Sequence, residues 1–285
     1  MDTQDWRASA KHFDFQGHQI AYWTGGNENA RPLLLVHGYP TCAWDWVPVW
    51  ETLGANHRLI ACDMLGFGLS DKPRSGYAIH LQTDIQSALL AHLGIGEFDA
   101  LVHDYGVSVG QEMLARQQDG SGFADLGKVV FLNGGLFPDQ HRARPMQKLG
   151  ISPFGFLLAL LMTRKGFGKG FSEVFGPDTQ PSKAELDAFW EFIAHNRGDR
   201  IPHKLLHYIG DRIEHKDRWE AALVRAESKI GLINGALDPV SGKHAYDRWR
   251  QVVPGAHHHL IGHVGHYPQV EAPDEVARVA LDWLA

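Results

Sequence analysis

Four short apolar runs, spaced to leave room for helices between them, limit what this chain can fold into. They read PLLLVHG (32–38), RLIACD (58–63), FDALVH (98–103) and KVVFLNG (128–134). Unbroken apolar runs of this length suit strands buried on both faces, the environment of a parallel sheet. Between them, LQTDIQSALLAHLG and VGQEMLARQQ carry apolar residues at helical spacing, so a strand–helix–strand rhythm is expected. Ahead of them, HFDFQGHQIAYW (12–23) alternates around a glycine and predicts a hairpin. Strand patterns return at KIGLING (229–235) and HHHLIG (257–262), followed by an amphipathic helix, PDEVARVALDWL. Residues 136–228 carry no strand signal but have helix-like pieces at 183–195 and 202–226. The expectation is one α/β core, residues 1–135 and 229–285, with a mostly parallel twisted sheet and flanking helices. Residues 136–228 form a helical cap inserted into it.

Composition narrows the function classes. A chain of 285 residues can bury one large core, and 44% hydrophobic with 21% charged residues is ordinary for a soluble protein. A formal net charge of -6 gives no reason to expect nucleic-acid binding. Cys42 and Cys62 lie near apolar segments in no ligand pattern, as free thiols in a reducing compartment would. The N-terminus has no apolar signal-peptide region, so a cytoplasmic protein is expected. FGFLLALLM (154–162) is too short to span a bilayer and predicts a buried helix or a pocket wall, not membrane contact. His257, His258 and His259 with His263 suggest a metal, but consecutive strand residues point to opposite faces. DMLGFGLSDKP (63–73) lacks the G-K-[ST] ending of a phosphate loop and reads as a turn near an active-site mouth. No cofactor or metal is expected.

The stretch HDYGVSVG (103–110) holds two rival nucleophiles, Asp104 and Ser108. Ser108 fits G-x-S-x-G, the pattern of a serine hydrolase elbow. An elbow, however, needs a strand that stops at the nucleophile and a helix that starts at once. FDALVH stops directly before Asp104, whereas a strand reaching Ser108 would carry polar and glycine residues at its buried end. The helix N-terminus also favours a carboxylate there by ~0.3–1 kcal/mol. Against this, position 102 is Val where a small residue is usual, while Ser108 has small neighbours. On this stretch alone Asp104 is favoured, and Ser108 or an Asp104 that only caps the helix stays open.

Partners for either nucleophile follow in the order acid, then histidine. LINGALDPVS places Asp238 in a loop after a strand, and GHVGHYPQVEAP places His266 between the last strand and the last helix. VHGYP (36–40) ends the first apolar run, where backbone N–H groups can face a developing oxyanion. The natural donors are the N–H groups of Tyr39 and Tyr105.

Together HGYP, DMLGFGLSDKP, HDYG, LDPVS and GHYPQVEAP resemble the α/β-hydrolase superfamily, in particular its epoxide hydrolase and haloalkane dehalogenase branch. HDYG, NGGLFPDQHR, VFGPDTQPS and GHYPQ are similar to the mesoderm-specific transcript group within it. The resemblance implies an α/β-hydrolase fold and an aspartate nucleophile at Asp104, with Asp238 as acid and His266 as base. It implies an alkyl-enzyme ester that water cleaves, and a small apolar organic substrate. Attack by a carboxylate on a carboxylic ester would give an anhydride, which disfavours a simple esterase.

The leaving group separates the two activities of the branch. Dehalogenases of this branch hold the halide with a tryptophan after the nucleophile and an Asn or a cap Trp. Those positions here hold Tyr105 and Tyr39, and the cap tryptophans are Trp190 and Trp219. Epoxide opening gives an alkoxide that a phenol of pKa about 10 can protonate. Tyr208 resembles one of the two cap tyrosines of epoxide hydrolases, and no second tyrosine lies in 136–207; His203 or His207 is a candidate substitute. Epoxide hydrolysis to a vicinal diol is therefore expected first. A haloalkane dehalogenase, an esterase through Ser108 and a non-catalytic ligand-binding protein are the alternatives.

Overall fold

The computed structural model describes residues 1–74, 76–152 and 154–285; the side chains of Pro145, Met146, Leu158, Leu160 and Leu161 lie outside the description. The expected hairpin is β1 (Lys11–Phe15) and β2 (His18–Gly26), paired antiparallel with Lys11 opposite Tyr22. Its turn places Gln16 at φ 54° and Gly17 at φ 84°, the two left-handed residues that match the twist of flanking strands. The apolar runs become β3 (Pro32–Val36), β4 (Arg58–Cys62), β5 (Glu97–Val102) and β6 (Asp125–Phe131). The later signals become β7 (Ile230–Gly235) and β8 (His257–Ile261). One sheet results, in the order β1-β2-β4-β3-β5-β6-β7-β8, parallel from β4 onward.

Helices α1 (Thr3–Ala8), α2 (Val47–Gly54), α3 (Ile79–His92) and α4 (Tyr105–Asp119) accompany the first strands. Both faces of the sheet are covered, which is why β3 to β6 are apolar without alternation. Leu34 and Val36 pack with Ile85, Leu89 and Met113 on one face. Leu33 and Leu35 pack with Leu53 on the other face. The chain runs from β3 outward to β4 and then returns to β5 on the opposite side of β3. That reversal opens a crevice at the carboxyl ends of β3 and β5, where open α/β sheets bind ligands.

Between β6 and β7 the regular elements are helical among the described residues. They are α5 (Pro145–Gly150), α6 (Phe156–Leu161), α7 (Arg164–Ser172), α8 (Lys183–Ala194), α9 (Pro202–Leu205), α10 (Tyr208–Glu214) and α11 (Lys216–Arg225), with a short 3-10 stretch at His195–Arg200. The single helical piece expected over 202–226 is thus three helices. A straight helix would set Leu206 on the side opposite Tyr208 and Trp219, whereas the breaks let all three bury. Of the two expectations for FGFLLALLM, a buried helix or a pocket wall, the first holds only in part, with Ala159 buried, and the second is met by Met162, which lines the cavity described below. Phe154 is 63% exposed and Phe156 51% exposed, because a helix as short as α6 has one side to bury. Leu158, Leu160 and Leu161 of that stretch lie outside the described side chains. No helix among the described residues is long and apolar enough to cross a membrane. After β7 come α12 (Lys243–Val252), α13 (Pro268–Glu271) and α14 (Pro273–Leu284); Val276 and Val279 of α14 join the face that holds Leu33 and Leu35.

Candidate active site

β5 ends at Val102 and α4 begins at Tyr105, leaving Asp104 in the turn with φ 47° and ψ -101°. A positive φ in a residue with a Cβ costs ~1–3 kcal/mol and persists only where its surroundings enforce it. Here they do: a Cβ on Gly106 would lie 2.4 Å from the Val36 carbonyl, so α4 sits hard against β3. Asp104 does not cap α4 with its side chain. Its Oδ2 accepts the Tyr39 backbone N–H at 2.8 Å, and its Oδ1 lies 3.7 Å from Nε2 of His266. Ser108 sits one turn into α4, fully buried, and its Oγ accepts a hydrogen bond from Arg212 at 2.7 Å.

Asp238 follows β7 and is wrapped by donors. Its Oδ2 accepts from His266 Nδ1 at 2.7 Å, Ser241 Oγ at 2.6 Å and Asn133 Nδ2 at 3.0 Å; its Oδ1 accepts the Val240 N–H at 2.7 Å. Burial alone would raise its pKa, but the His266 charge and these hydrogen bonds hold it well below the usual carboxylate range. For His266 the balance reverses. Burial lowers its pKa, yet Asp238 first and Asp104 after it push it up to about 9. Glu271 fastens the His266 loop by accepting the N–H groups of Gly265 and Gly176 at 2.8 Å and of Tyr267 at 3.0 Å.

The tyrosines divide. Tyr39 presents its backbone N–H to Asp104, as its place after β3 suggests. The Tyr105 hydroxyl is buried and donates to the Tyr77 carbonyl at 2.8 Å, so its phenol is committed away from Asp104 and only its N–H sits at the elbow. Tyr208 opens α10, fully buried, with its ring centroid 4.8 Å from Tyr105 and 6.3 Å from Tyr39. Its hydroxyl has no hydrogen-bond partner among the described residues, and burial raises its pKa. A cavity of about 330 Å³ opens over the elbow, with Tyr39, Asp104 and His266 in its lining and Met162, Phe167 and Phe171 as apolar wall. Arg144, Gln147 and Glu173 supply polar lining, and Arg144 pairs with Glu173. Tyr208, His203 and His207 are not in that lining.

Several residues of the site escaped the sequence reading. Asn133 braces Asp238 and accepts the Gly235 N–H at 2.6 Å; a polar residue closing an apolar strand run was the available signal. His141 and Arg212 are buried or nearly so beside Asp104, and nothing in a loop or a polar-looking helix marks either as inward-facing. The remaining candidates have other partners. Trp219 Nε1 donates to Glu112 at 2.8 Å, and Trp190 packs on Phe167 at 5.7 Å. His258 bonds Tyr246 and His259 bonds Glu275, each at 2.7 Å, and no metal-holding cluster exists among the described residues. In DMLGFGLSDKP, Asp63 accepts the N–H groups of Ala43 at 2.8 Å and Leu69 at 2.6 Å, and none of this turn lines the cavity.

The sequence pattern of the alpha/beta hydrolase family matches residues 33–279. The chain belongs to the alpha/beta hydrolase family. Within it, the chain is 39% identical over 280 residues to the mesoderm-specific transcript homolog protein of Bos taurus, covering 94% of this chain and 83% of that one. It is 27% identical to a haloalkane dehalogenase of Mycolicibacterium paratuberculosis, covering 93% of this chain and 87% of the relative. The alpha/beta hydrolase fold is also that of the ligand-free epoxide hydrolase CorEH, at a TM-score of 0.76 and 20% identity, covering 96% of this chain and 98% of that one.

Proposed function

We propose that this chain is an aspartate-nucleophile hydrolase that opens epoxides to vicinal diols through an ester on Asp104, with residues 136–228 acting as a cap over the cavity. One observation carries the reading: the carboxylate at the elbow has one oxygen on a backbone N–H and the other facing His266. Asp104 Oδ1 attacks an sp³ carbon, the ring C–O bond breaks, and its electron pair goes to oxygen. The resulting alkoxide takes a proton from Tyr208. Alkylation removes the negative charge of Asp104, one of the causes that raise His266, so the imidazole then loses its proton more readily. As a base at Nε2, it takes a proton from water attacking the ester carbonyl carbon. The oxyanion forms at Oδ2, where the Tyr39 N–H already points. Asp238 holds the imidazolium while the Asp104 Cγ–Oδ1 bond breaks, and Nε2 returns its proton to the departing alkoxide; the diol leaves, and the restored Asp104 carboxyl group gives its proton back to the Tyr208 tyrosinate.

The epoxide is favoured over the halide because Trp219 spends its indole N–H on Glu112, while the Tyr208 hydroxyl is buried and free to donate. The relative named as a haloalkane dehalogenase keeps halide substrates as the second reading. The test is His266→Gln with styrene oxide and with 1-bromobutane, read by intact mass. The expected result is an adduct that peptide mapping places on Asp104, forming faster with the epoxide, and near-normal turnover in Ser108→Ala. An adduct on Ser108 from ester substrates would overturn the mechanism, as would no adduct with either electrophile.

A further inference from the structure

Four of the nine large apolar side chains exposed among the described residues fall within seven positions between β6 and β7: Ile151, Phe154, Phe156 and Leu157. Phe154 and Phe156 each leave more than half of their surface in solvent. Single apolar residues scattered over a surface are ordinary, whereas a cluster of this kind marks a contact. The charge around the cluster tells what kind. Residues 140–172 hold Arg142, Arg144, Lys148, Arg164, Lys165 and Lys169 and no Asp or Glu, in a chain whose formal net charge is -6. Arg144 and Arg164 pair with Glu173 and Asp187, so those acids are already engaged. Arg142, Lys148, Lys165 and Lys169 are exposed, and none of them takes part in an ion pair among the described residues. α7 divides by face. Phe167 and Phe171, one turn apart, are buried and wall the cavity, while Lys165 and Lys169, one turn apart on the other side, face solvent. The segment thus has an inner surface on the cavity and an outer one that is both apolar and cationic.

We propose that the outer surface of α6 and α7, with the residues leading into α6, docks on an anionic lipid surface. Phe154 and Phe156 enter the interface, and Lys148, Lys165 and Lys169 rest against the headgroups. α6 is too short to span a bilayer, but a helix lying in the interface needs only an apolar face and flanking cations. An anionic bilayer supplies both an apolar interior for the phenylalanines and negative charge for the lysines. A second copy is a poorer occupant, because a symmetric contact through this patch would set the lysines against their own counterparts. Met162, Phe167 and Phe171 of the same segment wall the cavity, so an apolar epoxide dissolved in the bilayer reaches the site without crossing bulk water. That delivery rests on the epoxide reading above; the docking does not.

Co-sedimentation of the full chain with vesicles tests the docking. Vesicles of equal parts phosphatidylglycerol and phosphatidylcholine are expected to bind it, and pure phosphatidylcholine at least ~30-fold more weakly. Binding is expected to fade as salt rises from about 0.1 M to about 1 M. Lys148→Gln/Lys165→Gln/Lys169→Gln is expected to weaken binding to the mixed vesicles about 100-fold, and Phe154→Ser/Phe156→Ser about tenfold. These five positions are exposed, so Tm and the turnover of dissolved styrene oxide are expected to stay at wild-type values. With 1,2-epoxydecane held in the mixed vesicles, turnover is expected to fall in both variants. A wild type that ignores the mixed vesicles overturns the docking, as does equal binding to pure phosphatidylcholine or a triple-lysine variant that binds like wild type. A dimer that Phe154→Ser/Phe156→Ser abolishes, without vesicle binding, also overturns it and gives the patch to a second copy. Vesicle binding that depends on these residues, with neither epoxide turned over, leaves the docking standing and sinks the epoxide reading.

Discussion

Asp104 occupies a backbone region that is costly for a residue with a Cβ, and its chemistry repays that cost in geometry. Asp104→Ala keeps the turn while removing both the oxygen proposed to attack and the acceptor for the Tyr39 N–H. Turnover is expected to fall at least ~10⁴-fold with little loss of Tm, measured by diol release and thermal unfolding. His266 has a signature in pH. Its folded pKa is about 9, above its ordinary 6.5, so its stabilisation is complete below 6.5 and fades as pH rises through 9. The Tm advantage of wild type over His266→Gln is therefore expected to shrink across that window; an advantage that grows there would contradict the pairing with Asp238. The same residues show where reading the chain reached its limit. HDYG in front of a helical pattern locates Asp104 because the strand's end can be counted from apolar residues. The direction of the Tyr105 phenol depends on Tyr77, which approaches only once the chain is folded.

At the scale of elements, the tight turn that carries Asp104 exists because β3, β5 and α4 meet too closely for side chains. A methyl on Gly106 meets the carbonyl of Val36, a backbone atom of a central strand that cannot step aside. Gly106→Ala is expected to cost about 1–3 kcal/mol in denaturant unfolding and to reduce ester formation with it. An unchanged midpoint would mean that α4 tolerates a shift away from β3. The strands were readable for the reason that the elbow is tight. Buried on both faces, β3 to β6 have no polar alternation to confuse with a helix. The stretch 202–226 was misread as one helix because its breaks serve tertiary burial of Leu206, Tyr208 and Trp219, with no glycine or proline at either junction to announce them. Arg212 was hidden by the same break, since the inward face of α10 is set by where α10 begins.

For the molecule as a whole, the helices between β6 and β7 must stay registered on the sheet for groups on α10 to reach Asp104. One buried carboxylate does much of this. Glu112 on α4 accepts from Trp219 Nε1 and Arg116 Nε, each at 2.8 Å, and also pairs with Arg218 and His80. Trp219 and Arg218 belong to α11, so Glu112 fastens the helical segment to the core a few turns from the elbow. Burial would raise its pKa, but the hydrogen bonds from Trp219 and Arg116 outweigh burial and hold it below its ordinary 4.5. A depressed carboxylate stabilises the fold above its unfolded pKa and gives that stability up as pH falls through the folded value. Glu112→Ala is expected to cost ~3–5 kcal/mol at neutral pH, because it leaves buried donors and cationic neighbours without their acceptor. Glu112→Gln keeps the shape and loses only the charge, so its acid transition is expected to be shallower than that of wild type below pH 4.5. Its ester formation on Asp104 is expected to slow in step with the lost stability if α11 carries α10 with it. A Glu112→Gln variant that is destabilised yet alkylates at the full rate would mean that α10 is held over Asp104 by Arg212 and its hydrogen bonds rather than by this clamp.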